Sequence, residues 1–316
     1  MDPLSVILVT GSYDHEIRFW EAGSGICSRT IARGGEPGQV NRLAISSDKR
    51  LLAAAIHKKV KIYLVQGAEN TPVTTFDGHS ANVTALQFQI EGKWLATASE
   101  DCTIRVWDMR TKHQHRTYDN GAPVNDLQIH PNQAELVSCD QEGCVKTWDL
   151  TTNTCTASLN PAGDVPIRSV SVAADASCLV AANNKGRVFV WKMHEGPSQP
   201  AQPRFQAVTR FTAHARFITR LILSPDRKYL ATCSADATIK IWKVSSNWEF
   251  ILDKTLTGHQ RWVWDAAWST DSAYLVTASS DHVARLWDVS AGDTVRAYNG
   301  HHKACVCVAL ADHTPT

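Results

Sequence analysis

Two consecutive stretches of this chain carry the same pattern. One reads A-H-A-R-F-I-T-R-L-I-L-S-P-D-R-K-Y-L-A-T-C-S-A-D-A-T-I-K-I-W and ends at Trp242. The next reads G-H-Q-R-W-V-W-D-A-A-W-S-T-D-S-A-Y-L-V-T-A-S-S-D-H-V-A-R-L-W-D and ends at Asp288. In both, a His precedes a Trp by 28 residues, His214 to Trp242 and His259 to Trp287, and the same interval joins His79 to Trp107. A spacing that recurs without drift marks one supersecondary unit used repeatedly. Such a unit cannot bury its apolar face alone and must stack on its neighbours.

Seven positions close a repeat: Trp20, Tyr63, Trp107, Trp148, Trp191, Trp242 and Trp287, at intervals of 43, 44, 41, 43, 51 and 45 residues. Each ends a short alternating run such as T-I-R-V-W or T-I-K-I-W, the pattern of a half-buried strand. Two further strand-like runs precede it, for example Val83–Phe88 and Trp94–Ser99, and a weaker one follows. Four strands repeated seven times predict an all-β, seven-bladed propeller. The 40–45-residue period, with G-H near its start and W-D at its end, is the WD40 signature. The ends are complementary. Gly300-His301 opens a repeat that stops after one strand, Ala304 to Leu310, whereas the N-terminus begins at a second strand, Val6 to Ser12. One blade is therefore expected to be shared, built from about 1–34 plus 301–313, closing a single domain over 1–316.

Composition excludes several classes. The net charge is +1, with no basic domain of the kind nucleic acid binding uses. No apolar run approaches 18 residues, so no membrane-spanning helix is expected, and Met1-Asp2-Pro3 leads straight into a strand-like run without a secretory leader. The nine Cys are scattered, with no C-x-x-C pair, and read as reduced, buried side chains rather than disulfides or a zinc site. Phosphate-loop, dinucleotide-binding, zinc-protease and nucleophile-elbow motifs are all missing. His113 and His115 read as solvent-facing. The expectation is a cytoplasmic, non-catalytic protein that needs no cofactor or metal and does not self-assemble.

Polar residues recur for a physical reason. An Asp stands six residues before the Trp in four blades, at Asp14, Asp101, Asp236 and Asp281, and a Thr stands four before each Asp, at Thr10, Thr97, Thr232 and Thr277. With His301, His79, His214 and His259, and with Trp20, Trp107, Trp242 and Trp287, each such blade can link His, Thr, Asp and an indole N–H. Four copies of a His–Asp–Thr set fit repeat architecture better than one catalytic triad. Blades two, four and five, which offer Ile56-His57, Asp140-Gln141-Glu142-Gly143 and Asn183-Asn184-Lys185-Gly186, are expected to lack this chain. Two readings stand for them, tolerated drift and adapted contact surface.

The candidate binding residues are aromatic. Arg261-Trp262-Val263-Trp264 follows Gly258-His259. Trp262 and Trp264 are two apart on a strand and share a face, at the rim of the central channel. Equivalent rim positions include Gln39, Asn41, Arg168 and Phe217, and Tyr13 precedes its turn Asp on the same face. Trp, Tyr and Arg are the residues enriched in binding hot spots. The other reading packs Trp262 or Trp264 between blades, and Trp268 reads as core. Between Trp191 and His214 lies an insertion with Pro197, Pro200 and Pro203. It reads as a mobile surface loop over about 194–206, with an SH3-type ligand as the alternative.

Several stretches together resemble the small WD-repeat subunit of the TOR (target of rapamycin) kinase complexes, the lethal-with-sec-thirteen family. They include Tyr13-Asp14-His15, Gln39-Val40-Asn41, Glu100-Asp101-Cys102-Thr103, the run His130-Pro131-Asn132-Gln133-Ala134-Glu135-Leu136, and Arg261-Trp262-Val263-Trp264. The resemblance covers nearly the whole chain and is weakest over 151–212. It implies a non-catalytic subunit that binds the TOR kinase domain and stabilises its active site, beside raptor-like or rictor-like subunits, peripheral to endomembranes through the complex. It places Gln39, Asn41, Trp262 and Trp264 at or near the kinase. A different interaction module, such as a peptide reader or a ubiquitin-ligase substrate receptor, is the alternative.

Overall fold

The computed structural model describes residues 6–32, 38–67, 69–194 and 203–312. Among these, 28 strands form seven four-stranded antiparallel sheets and there is no helix. Six sheets take four consecutive strands each. The seventh is the shared blade, in the order β28-β1-β2-β3, with β1 Ile7–Ser12, β2 Ile17–Trp20, β3 Cys27–Ile31 and β28 Cys305–Ala311. β28 pairs with β1 from Ile7↔Ala311 to Ser12↔Cys305, so the ring closes through the two ends of the chain. The approach there is tight. A Cβ on Gly11 would lie 2.5 Å from Val40 Cγ1 and 2.7 Å from Cys307 Sγ, which is why no side chain stands at this point in β1.

The core is seven wedges between adjacent blades. Each closing aromatic enters one; Trp107, for example, packs with Phe76, Leu86 and Leu95. The inner strands of blades two to seven are β4 Val40–Ile45, β8 Val83–Phe88, β12 Val124–Ile129, β16 Ile167–Val172, β20 Ile218–Leu223 and β24 Val263–Trp268. All six carry a bulge at their second residue, as at Val40/Arg42 and Val263/Asp265. The same irregularity in the shared blade leaves Val306 unpaired. A bulge takes one residue out of the ladder and re-aims its side chain. Here the freed side chains stitch blade to blade. Asn41 Nδ2 donates to Val83 O (3.2 Å), Thr84 Oγ1 to Val124 O (2.7 Å) and Asn125 Nδ2 to Ile167 O (2.6 Å). Thr219 Oγ1 makes the same bond to Val263 O.

The four expected polar chains are present. In blade three, Trp107 Nε1–H donates to Thr97 Oγ1 (2.9 Å), the Thr97 hydroxyl meets His79 Nε2 (2.8 Å), and His79 Nδ1 meets Asp101 Oδ2 (2.8 Å). An indole can only donate and a carboxylate can only accept, so a neutral His with its proton on Nδ1 completes the run. Burial keeps the His79 pKa low despite the partner carboxylate, consistent with that neutral form. Blades six, seven and one repeat the arrangement through His214, His259 and His301. All four Thr are fully buried and already hydrogen-bonded on both sides, so none is placed to act as a nucleophile. Thr97→Val, which keeps the shape and removes the hydroxyl, should cost about 1–3 kcal/mol, read from the shift in denaturant midpoint.

The expectation for blade four is corrected. Trp148 Nε1–H donates to Ser138 Oγ (2.9 Å), Ser138 Oγ to Asn120 Oδ1 (3.4 Å), and Asn120 Nδ2 to Asp140 Oδ2 (3.1 Å). An amide replaces the imidazole and a Ser replaces the Thr. The Asp140 and Asn183 side chains cap their own turns in blades four and five. Those turns need Gly143 (φ 88°) and Gly186 (φ 71°), where an added Cβ would strike a backbone carbonyl of the next blade.

Of the Pro-containing insertion, residues 195–202, with Pro197 and Pro200, lie outside the described residues. The expected loop over about 194–206 ends earlier than that, because strand β19, Phe205–Thr212, begins at Phe205. Arg204 pairs with Glu135, which Asn132 Nδ2 also reaches at 3.0 Å. The H-P-N-Q-A-E-L run is thus the turn that holds the insertion's end.

Candidate functional site: an aromatic rim above a charged channel

Trp262 lies just before β24 and Trp264 is its bulged residue. Their ring centroids are 5.5 Å apart, so the expected shared face exists. The two differ in burial. Trp262 is 40% exposed. Trp264 is half-buried against the shared blade's core, on which Tyr13 and Ala304 also pack, and its Nε1–H donates to Ser280 Oγ at 2.6 Å. Phe217 meets Trp262 edge-on at 5.1 Å, and the Arg168 guanidinium lies over Phe217 at 5.6 Å. Arg168 Nε donates to Asn184 Oδ1 (2.6 Å), fixing that stack. The result is a continuous strip, Arg168–Phe217–Trp262–Trp264, crossing blades five to seven. Arg261 is exposed beside it.

Other expected rim residues also make contacts within the ring. The Asn41 amide is committed to the seam with blade three, and Gln39 accepts the His57 N–H through its backbone carbonyl (3.2 Å). Tyr13 is largely enclosed, which raises its phenol pKa, and its backbone N–H bonds Ala304 O (3.0 Å). Trp268 is core, as expected. Its ring stacks on Tyr229 and its Nε1–H reaches Ile222 O at 3.2 Å.

Below the rim lies a feature the sequence reading missed. The residues after the bulges are Arg42, Ala85, Asp126, Ser169, Arg220, Asp265 and, in β28, Cys307. Four of these form an alternating ring of charge. Arg42 reaches Asp265 at 3.0 Å and Asp126 at 3.5 Å, and Arg220 reaches Asp265 at 3.3 Å and Asp126 at hydrogen-bond distance. Asp126 Oδ2 also accepts from Ser169 Oγ (2.7 Å) and Val170 N (3.1 Å), and Asp265 Oδ2 accepts from Val308 N (3.1 Å). Burial would raise the Asp126 pKa, but the two guanidinium groups and these donors hold it below the usual carboxylate range. Six blades thus meet in one network, on paired charges that burial would otherwise penalise.

The tetrad carboxylates titrate similarly. Burial opposes their ionised forms, yet bonds from His, Thr and backbone N–H bring Asp101 and Asp281 down to about 2. A folded-state pKa below the unfolded value gives stability that is present above pH ~4 and lost as pH falls toward ~2. Asp281→Asn should therefore flatten the melting-temperature profile between pH 4 and 2 relative to the parent.

The fold, its recurrent His–Thr–Asp–Trp chains and its side-chain rim define a WD40-repeat propeller. Four segments, residues 70–108, 110–149, 205–243 and 251–288, match the family described as WD domain, G-beta repeat. Among curated relatives, the target of rapamycin complex subunit wat1 of Schizosaccharomyces pombe is 59% identical over 98% of this chain and 96% of its own length. The target of rapamycin complex subunit LST8 of Saccharomyces cerevisiae is 52% identical over 98% and 100%. That of Bos taurus is 40% identical over 97% and 95%. The chain belongs to the LST8 family of target of rapamycin complex subunits.

Proposed function

We propose that this protein is a non-catalytic subunit of a TOR complex that docks on the kinase domain through the Phe217–Trp262–Trp264 strip and thereby stabilises the kinase active site. The observation that carries this reading is the exposure of Trp262 at the centre of a fixed aromatic strip, on a ring whose relatives are named as TOR complex subunits. A stacked strip on a rigid scaffold loses little side-chain freedom on binding, which favours affinity. The protein would act in the cytoplasm, beside raptor-like or rictor-like subunits, and reach endomembranes only through the assembly.

The test is purification of the tagged full-length chain from its own cells, followed by identification of co-purifying proteins. A TOR-class kinase should accompany the parent chain and be lost with Trp262→Ala plus Trp264→Ala. Each truncation should cost about 2 kcal/mol or more if these are hot spots, roughly a thirtyfold loss of affinity per Trp. Melting of the purified variant checks that it is folded, since Trp264 also packs between blades. Undiminished kinase recovery with the folded double variant would move the docking face elsewhere. Cullin adaptors or short peptides in place of a kinase would favour the receptor or peptide-reader alternative.

A further inference from the structure

The rim is not electrically even. Beside Trp262, between blades six and seven, runs a groove of about 650 Å³, with Ala235 and Ala237 on its lining and Arg216 and Arg261 also bordering it. Both arginines are exposed, and among the described residues neither makes a side-chain hydrogen bond or ion pair. Arg168 adds a third guanidinium at the far end of the strip, over Phe217. It occupies the bulge position that Asn41, Thr84, Asn125 and Thr219 use for stitching, so that seam has given up its bond and turned a cation to the rim. The one carboxylate lining the groove, Asp236, is committed on both oxygens, to His214 Nδ1 (2.8 Å) and to Thr238 Oγ1 (2.7 Å). Asp281, in the adjoining turn of blade seven, is likewise committed, to His259 Nδ1 (2.8 Å) and to the Gln260 and Val283 N–H groups, and Glu100 of blade three is tied to the Asn82 amide at 2.9 Å.

We infer that the cationic side of the rim takes an acidic segment of the protein partner, with an apolar side chain seated on Trp262 and flanking carboxylates directed to Arg216, Arg261 and Arg168. This rests on the docking face proposed above and adds the chemistry of what it holds. A basic segment would bring like charge against three guanidinium groups, and a neutral one would leave them unused. Opposed charge across an interface sets partner choice and speeds encounter. Guanidinium groups suit carboxylates because their planar fork donates two parallel hydrogen bonds.

The test uses the full chain and two labelled synthetic peptides of identical length, each with a central Leu-Trp pair, one flanked by Glu and the other by Lys. Fluorescence anisotropy should show the Glu peptide binding at least tenfold more tightly, weakening with added salt, and competing with recombinant TOR kinase domain. Arg216→Glu plus Arg261→Glu should abolish the preference at an unchanged melting temperature. Equal affinity for both peptides, or a preference that survives the charge reversal, would overturn the inference. The two proposals fail separately. Kinase binding that depends on Trp262 and Trp264 but ignores the charge reversal removes the acidic segment and keeps the docking face. A Glu-peptide preference without kinase binding keeps the groove's chemistry and removes the kinase as partner.

Discussion

Ending the chain at Ala304 should remove the cooperative unfolding transition and leave a species that aggregates on gel filtration. β28 is a seven-residue strand with six of its side chains buried. It is an inner strand, in contact with blades two and seven as well as its partner β1. Burying one medium-sized aliphatic side chain contributes about 1.5–3 kcal/mol. Losing two Val, two Cys and two Ala from the core therefore removes an amount comparable to the 5–15 kcal/mol that stabilises a typical domain. It also leaves β1 as an open edge beside the channel, a template for pairing with other chains. The measurement is a denaturant titration followed by Trp fluorescence, with far-UV circular dichroism as a second probe. A truncated chain that keeps a single sharp transition would show that the other six blades hold the ring without its closing strand.

Asp265→Ala should be the most damaging single substitution in the channel, at about 3–5 kcal/mol. The reason is what it leaves behind. Arg42 and Arg220 both lean on this carboxylate, and Val308 N–H of the closing strand donates to it. Without it, two guanidinium groups share Asp126 alone, and a buried N–H loses its acceptor. Asp265→Asn keeps the acceptor and removes the charge, so it should fall between the parent and the Ala variant. A cost for Asp265→Ala below about 1 kcal/mol, the range of exposed ion pairs, would mean that channel water screens the four groups.

The fold was largely legible because the chain states it repeatedly. Thr, Asp and Trp recur at constant offsets, and β8 and β9, the latter Trp94–Ser99, fall where alternation places them. The shared blade was legible from two complementary defects at the ends. The tetrad of blade four was not, because the reading required His and an Asp six residues before the Trp. Asp140 stands eight before Trp148, and Asn120 does the work of the imidazole. The channel ring escaped for another reason. Its members come from four different blades and acquire meaning only when the seven inner strands are superposed, as V-N-R, V-T-A, V-N-D, I-R-S, I-T-R, V-W-D and C-V-C. That superposition would have found them. The bulge leaves no comparable trace, so the sequence does not show that Asn41 stitches blade two to blade three.

The shared blade also imposes a schedule. β1 precedes its partner β28 by nearly the whole chain, since Ser12 must wait for Cys305. At roughly 5–20 residues per second, synthesis keeps that first hairpin waiting for about 15–60 s. No arrangement of the first six completed repeats can shorten the delay. A ring of this design stays open until β28 has been made, so a ribosome that stalls before Cys305 holds six finished sheets beside an unfilled seam.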